Sequence, residues 1–173
     1  MNLHKKNLIF AFISTLLATL FSPIIFPSYK LLFFGAFLVI LYYRKPFVTC
    51  LWGSLLCGLL FDLLSSHPRL GIYAINFTAT TWVLYPQRRN FFADSLSTLP
   101  VMTFLFSVIS TVFQGFLLYA FEGQICISKN WFLSDLFLMP LFDAVFAFCY
   151  FILPFVFFGK PIRKGKDYFL QKE

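Results

Sequence analysis

Two carboxylates stand in stretches that are otherwise apolar. Asp62 lies in Gly58-Leu-Leu-Phe-Asp62-Leu-Leu-Ser65-Ser66-His67-Pro68-Arg69-Leu-Gly71, and Asp143 follows Pro140 in Met139-Pro140-Leu-Phe-Asp143. A carboxylate in such a place can bind a cation, carry a proton, hold a polar substrate, or lock one segment to the next by accepting hydrogen bonds. The structural role is favoured here. Beyond these two, only Asp135 offers an acidic group nearby, and no Lys or Arg inside an apolar run can pair with either aspartate. A proton relay needs more titratable groups than that. Asp62 is expected to point inward and meet the loop after it, through His67, Arg69 or the hydroxyls of Ser65 and Ser66.

Other chemistry finds little footing. His4 and His67 are far apart, and no His or Cys cluster has metal-ligand spacing. Cys50, Cys57 and Cys149 fall in apolar runs with Cys126 outside them, a pattern of small packing residues and not of disulfides. No phosphate-binding glycine loop or nucleophile elbow occurs, and the triplet Asn76-Phe77-Thr78 is buried in an apolar run. No cofactor, metal or enzymatic activity is expected.

The elements that must position the two aspartates follow from composition. The chain has 173 residues, 60% hydrophobic, 22% aromatic and 12% charged, with a mean hydropathy of +0.80. A water-soluble domain carries about 25% charged residues, so water is not the main solvent of this chain. Runs that are apolar all round for about 20 residues argue for membrane helices and against a β-barrel, whose strands alternate. The expected fold is all-α: a polytopic membrane helix bundle of about six transmembrane helices, over 7–26, 31–43, 47–64, 71–85, 96–121 and 132–158. The second and fourth are short, so they borrow flanking residues or one is re-entrant. The whole of 1–173 reads as a single transmembrane domain with a short basic tail, 159–173.

Charge orients this bundle. With both termini cytoplasmic, Lys5, Lys6, Arg44, Lys45, Arg88, Arg89, Lys160, Arg163, Lys164, Lys166 and Lys172 lie inside, and only Lys30, Arg69 and Lys129 outside. Tyr29, Tyr42, Tyr43, Tyr73, Tyr85, Tyr119, Trp52, Trp82 and Trp131 lie near span ends, as interfacial rings do. The net charge of +7 is thereby accounted for by topology, and no nucleic acid is implied. The tail cations are suited to anionic lipid.

Within the third span, Ser54, Gly58 and Asp62 recur at i, i+4 and i+8, with Gly53 and Cys57 beside them. Such a small-residue face permits close helix approach. Pro68 and Gly71 bracket a turn, the glycine serving as a cap or allowing close passage of the fourth span. Pro140 and Pro154 are expected to bend the last span.

The six-span layout, the stretch Cys57-Gly-Leu-Leu-Phe-Asp62-Leu-Leu-Ser65-Ser66-His67-Pro68 and the following Gly71-Ile-Tyr-Ala74 resemble the bacterial rod shape-determining protein MreD family. That family shows Gly-x-x-x-Asp-Leu-Leu-Ser, a Pro shortly after, and a Gly opening the next span. The last span, with Pro140, Asp143 and Pro154, is also similar, although the family more often has Asn at the place of Asp143. Arg69 and Leu70 separate Pro68 from Gly71 where the family has one residue, and His67 stands where small residues are common. The motif covers about 15 residues. The resemblance implies a non-enzymatic inner-membrane scaffold of the cell-elongation machinery. Its implied partners are an MreC-like bitopic protein, the peptidoglycan polymerase RodA with its transpeptidase, and MreB filaments. Ser54, Gly58, Asp62, Ser65, His67, Pro68, Arg69, Gly71, Pro140 and Asp143 are the structural or partner-binding candidates.

The competing reading is the substrate-binding membrane subunit of an energy-coupling vitamin-type transporter, whose pocket would lie near Asp62 and Asp143 under the loop 65–70. Such a ligand needs several positioned donors and acceptors, and few are apparent in the sequence. An enzyme acting on lipid ranks lower, since the two aspartates lack a recognisable acid, base or metal set.

Overall fold

A computed structural model describes residues 8–25, 31–65, 70–90, 97–122 and 134–152. His67, Pro68, Arg69 and Ser66 lie outside the described residues, as do Cys126, Trp131 and the basic tail. All regular structure among the described residues is helical. The elements are α1 (Leu8–Ile25), α2 (Phe34–Arg44), α3 (Phe47–Leu64), α4 (Ile72–Gln87) with a 3-10 turn at Arg88–Asn90, α5 (Thr98–Glu122) and α6 (Ser134–Ile152).

On its outer helices the bundle turns small and polar residues inward and large apolar ones outward. On α1 the inward face carries Ala11, Ser14, Thr15, Thr19 and Ser22, while Ile9, Phe10, Ile13, Leu17, Leu20, Phe21 and Ile24 are exposed. The buried hydroxyls satisfy themselves within the helix: Ser14 and Thr15 donate to the carbonyl of Ala11, Thr19 to Thr15 and Ser22 to Thr19. The same pattern continues on α3 and α4, where Val48, Trp52, Leu56, Leu63, Ile75 and Trp82 face outward. Exposed apolar surface on this scale marks faces that meet lipid or a partner. Three helices, Phe47–Leu64, the stretch Thr98–Phe121 of α5, and Ser134–Ile152, are long and apolar enough to cross a membrane, and α1 and α2 are shorter apolar helices. The fold is compatible with a membrane-embedded helical bundle.

The helices α3, α4, α5 and α6 form a chain of neighbours, and α2 packs against α1, α3, α5 and α6. That central place explains its burial: every residue from Phe34 to Tyr43 is buried. At 11 residues it rises only about 16 Å, less than the roughly 30 Å hydrocarbon thickness. It is a core element and presents no described face to lipid. Tyr42 and Tyr73 likewise depart from the expected interfacial role. Both are fully buried, Tyr42 bonded to Thr81 at 2.8 Å and Tyr73 accepting from Gln114 at 2.7 Å. Trp52, Trp82 and Tyr119 are exposed.

In α6 the backbone begins in the wider π register at Ser134–Leu138, becomes α at Met139–Ala147 and returns to π at Phe148–Ile152. Pro140 has no N–H to give and its ring crowds the carbonyl four residues back. The π turn just before it relieves that crowding.

Candidate functional site

At Gly58 the third and fourth helices touch backbone to backbone. A Cβ built there would lie 2.5 Å from Ala74 Cα and 2.6 Å from the Tyr73 carbonyl oxygen, so only glycine fits. Ser54, Gly58 and Asp62 are all buried, and Ser54 donates to the carbonyl of Leu51 at 2.8 Å. The small-residue face of α3 is the surface against which α4 lies.

This approach delivers Asp62 to the head of α4. Its Oδ2 accepts hydrogen bonds from the N–H of Gly71 at 3.0 Å and of Ala74 at 3.1 Å, and its Oδ1 from the N–H of Tyr73 at 3.2 Å. A helix start leaves its first N–H groups without partners, and an Asp or Ser at the cap position normally serves the second and third of them. Here the cap residue is Gly71, at φ 98°, which has no side chain to offer. Asp62 supplies that function from the neighbouring helix, and its charge meets the positive end of the α4 dipole. Gly71 therefore acts as a cap in left-handed backbone and not as a point of close passage, since nothing lies within 4 Å of a Cβ built on it.

Among the described residues the partners of Asp62 are the backbone N–H groups that open α4; of the loop side chains expected beside it, Ser66, His67 and Arg69 lie outside the described residues. Ser65 does not contribute: its Oγ is buried and has no hydrogen-bond partner among the described residues. Beneath the cap lies an aromatic cluster drawn from four helices. Phe61 meets Tyr73 at 4.6 Å and Phe77 at 5.9 Å between ring centroids, Phe77 meets Phe106 at 5.5 Å, and Phe34 stands 6.5 Å from Phe61.

Asp143 makes a second joint. Fully buried, it accepts from the N–H of Leu32 through Oδ1 at 3.0 Å and from the Ser107 hydroxyl through Oδ2 at 2.6 Å. Leu32 leads into α2, whose first turn begins with Gly35 N–H bonded to its carbonyl. The two aspartates do not share a site. Each binds the N-terminal approach of a different helix, Asp62 that of α4 and Asp143 that of α2.

Between them runs a set of polar groups that the sequence reading underestimated. Asn76 Nδ2 donates to Ser110 Oγ at 2.9 Å, Thr80 donates to Asn76 Oδ1 at 3.3 Å, and Gln114 donates to the Tyr73 hydroxyl at 2.7 Å. The signal was present: Tyr73, Asn76 and Thr80 recur at i, i+3 and i+7, and Ser107, Ser110 and Gln114 at i, i+3 and i+7 in apolar spans. Among the described residues, no three of His, Cys, Asp or Glu gather where a metal could be held. As chemistry, the arrangement fastens helices to one another.

No protein-family model matches the chain, and neither a curated protein nor a solved structure matches it.

Proposed function

We propose that the chain is a non-enzymatic scaffold of the cell-elongation machinery of the MreD kind. In this reading it lies in a bacterial inner membrane with both termini in the cytoplasm, α2 passing through the bundle interior as a short core segment rather than a full lipid-facing span, and binds an MreC-like bitopic protein. Through that partner it would be linked to RodA with its transpeptidase and to MreB filaments. The observation that carries the reading is the Asp62 joint. The residues on which the resemblance rests, Gly58, Asp62 and Gly71, meet in one structural unit: Gly58 brings α4 into contact, Asp62 caps it and Gly71 supplies the turn. A motif whose members serve one joint fits a protein whose work is to hold a rigid shape in the membrane for others to bind. Large exposed apolar faces on α1, α3 and α6 leave ample surface for partner helices.

The transport reading draws on the polar groups of α4 and α5. Those groups are already bonded to one another, however, Asn76 through one N–H and its carbonyl oxygen and Gln114 through an N–H to Tyr73. A vitamin-sized ligand would have to displace those bonds.

The deciding experiment is affinity purification of the tagged protein from its native membranes in mild detergent, with mass spectrometry of what accompanies it. An MreC-like protein and a peptidoglycan polymerase are the expected companions. A pair of ATPases with a coupling membrane protein would overturn the scaffold in favour of a transport subunit.

A further inference from the structure

At one end of the bundle the structure gathers four cations from two separate loops. Arg44 and Lys45 end α2 and lead into Pro46 and α3, while Arg88 and Arg89 follow α4. Three contacts tie the loops together. The Arg88 guanidinium donates to the Tyr42 carbonyl, the Tyr43 hydroxyl to the Arg88 carbonyl at 3.4 Å, and the Tyr85 hydroxyl to the Lys45 carbonyl at 3.4 Å. Arg88 also lies over the Tyr85 ring, 3.9 Å from its centroid, and Phe47 packs on the other residues of this corner through Tyr85 at 5.0 Å. Arg88 is therefore a fixed strut, half-buried, while Lys45 and Arg89, on the two loops it ties together, are exposed.

The described carboxylates lie elsewhere: Asp62 in the last turn of α3, Glu122 at the end of α5, Asp135 in the first turn of α6 and Asp143 inside the bundle. A topological bias would be met by cations scattered over any inner loop. Here the two loops that carry them are held together by tertiary contacts, beside a tyrosine and at the end of an apolar bundle, where a phosphate at headgroup level would sit. Basic pockets between membrane helices recognise such groups.

We propose that Lys45 and Arg89, with Arg44 and Arg88 beside them, form a binding surface for the phosphate of an anionic phospholipid headgroup. This requires only that the bundle is in a membrane and stands apart from the elongation reading. The surface is distinct from the basic tail, which supplies none of these residues.

The test is native mass spectrometry of the full-length protein in neutral detergent, offered phosphatidylglycerol and phosphatidylcholine in equal amounts. The wild type is expected to retain phosphatidylglycerol preferentially, and the preference should fall about five-fold for each cation removed in Lys45→Gln and Arg89→Gln. Circular dichroism should show unchanged helix content, because Arg88 is left in place. A third variant with Lys160, Arg163, Lys164 and Lys166 all changed to Gln should keep most of the preference. Equal retention of the two lipids, an undiminished preference in K45Q/R89Q, or loss of preference only in the tail variant would each overturn the proposal. So would displacement of the lipid by millimolar inorganic phosphate, which would make a soluble anion the ligand.

Discussion

The carboxylate of Asp62 stands 3.0 Å from the N–H of Gly71, a cap residue that has no side chain with which to cap its own helix. Because the three partners of Asp62 among the described residues are all N–H groups, a group with two accepting oxygens is what satisfies them. Asp62→Asn would turn an amide NH2 toward an N–H donor. It should destabilise by about 1–3 kcal/mol, the usual cost of a buried unsatisfied donor, and Asp62→Leu by at least as much. Thermal unfolding in detergent, followed by reaction of the buried thiols of Cys50 and Cys57 with a fluorogenic maleimide, reads this directly. A D62N protein as stable as wild type would refute the capping account.

Asp143 should behave differently. One of its partners is the Leu32 N–H, but the other is the Ser107 hydroxyl, which can accept as well as donate. Asn at this position can keep both bonds, with its oxygen on Leu32 and its NH2 on Ser107. Asp143→Asn is expected to change stability by less than about 1 kcal/mol, whereas Asp143→Leu should cost about 1–3 kcal/mol. The same unfolding assay ranks the two, and a D143N protein as unstable as D143L would contradict the prediction.

The two glycines of the joint should fail for different reasons. Gly71→Ala faces open space but must hold left-handed backbone, at a cost of about 1–2 kcal/mol, and Gly71→Asn should recover part of it. Gly58→Ala meets the α4 backbone, which cannot rotate away as a side chain can, and is expected to cost about 1–3 kcal/mol through overpacking. Adding Ala74→Gly to Gly58→Ala should rescue little, since the clash includes the Tyr73 carbonyl and the Ala74 N–H.

The interior amide can be weighed by a double-mutant cycle between Asn76 and Ser110, which lie 2.9 Å apart. Interhelical hydrogen bonds in membranes couple by about 0.6 kcal/mol on average and by about 1.7 at most. A coupling within that range is expected from Asn76→Ala, Ser110→Ala and the double variant. Zero coupling would mean that the contact holds nothing.

Composition was enough to read the helical bundle, because a chain with so few charges and such long apolar runs has no other way to satisfy its backbone. The inward direction of Ser54, Gly58 and Asp62 was legible for a similar reason: small and polar residues at helical spacing turn away from lipid. What could not be read was the partner of Asp62. A hydrogen bond to backbone N–H leaves no mark on the partner's residue type, so Tyr73 and Ala74 look like any span-forming residues. The role of Asn76 escaped because its partner on the neighbouring helix, Ser110, is 34 positions away, and distance in sequence hides pairings that only the packed helices make. Tyr42 and Tyr73 were misplaced because a tyrosine near a span end looks interfacial until its hydroxyl is found to have an interior partner.

The fully enclosed α2 constrains how this protein can be made. Its start is tied to Asp143, 111 residues further along the chain, and its faces are covered by α5 and α6 as well as by α1 and α3. During synthesis α2 emerges long before most of its cover exists. A ribosome that stalls before α6 leaves the Leu32 N–H without its acceptor and α2 without one of its neighbours. Chains truncated before α6 are expected to be cut by proteases faster than the full chain, because the Asp143 joint closes only once that helix has been made.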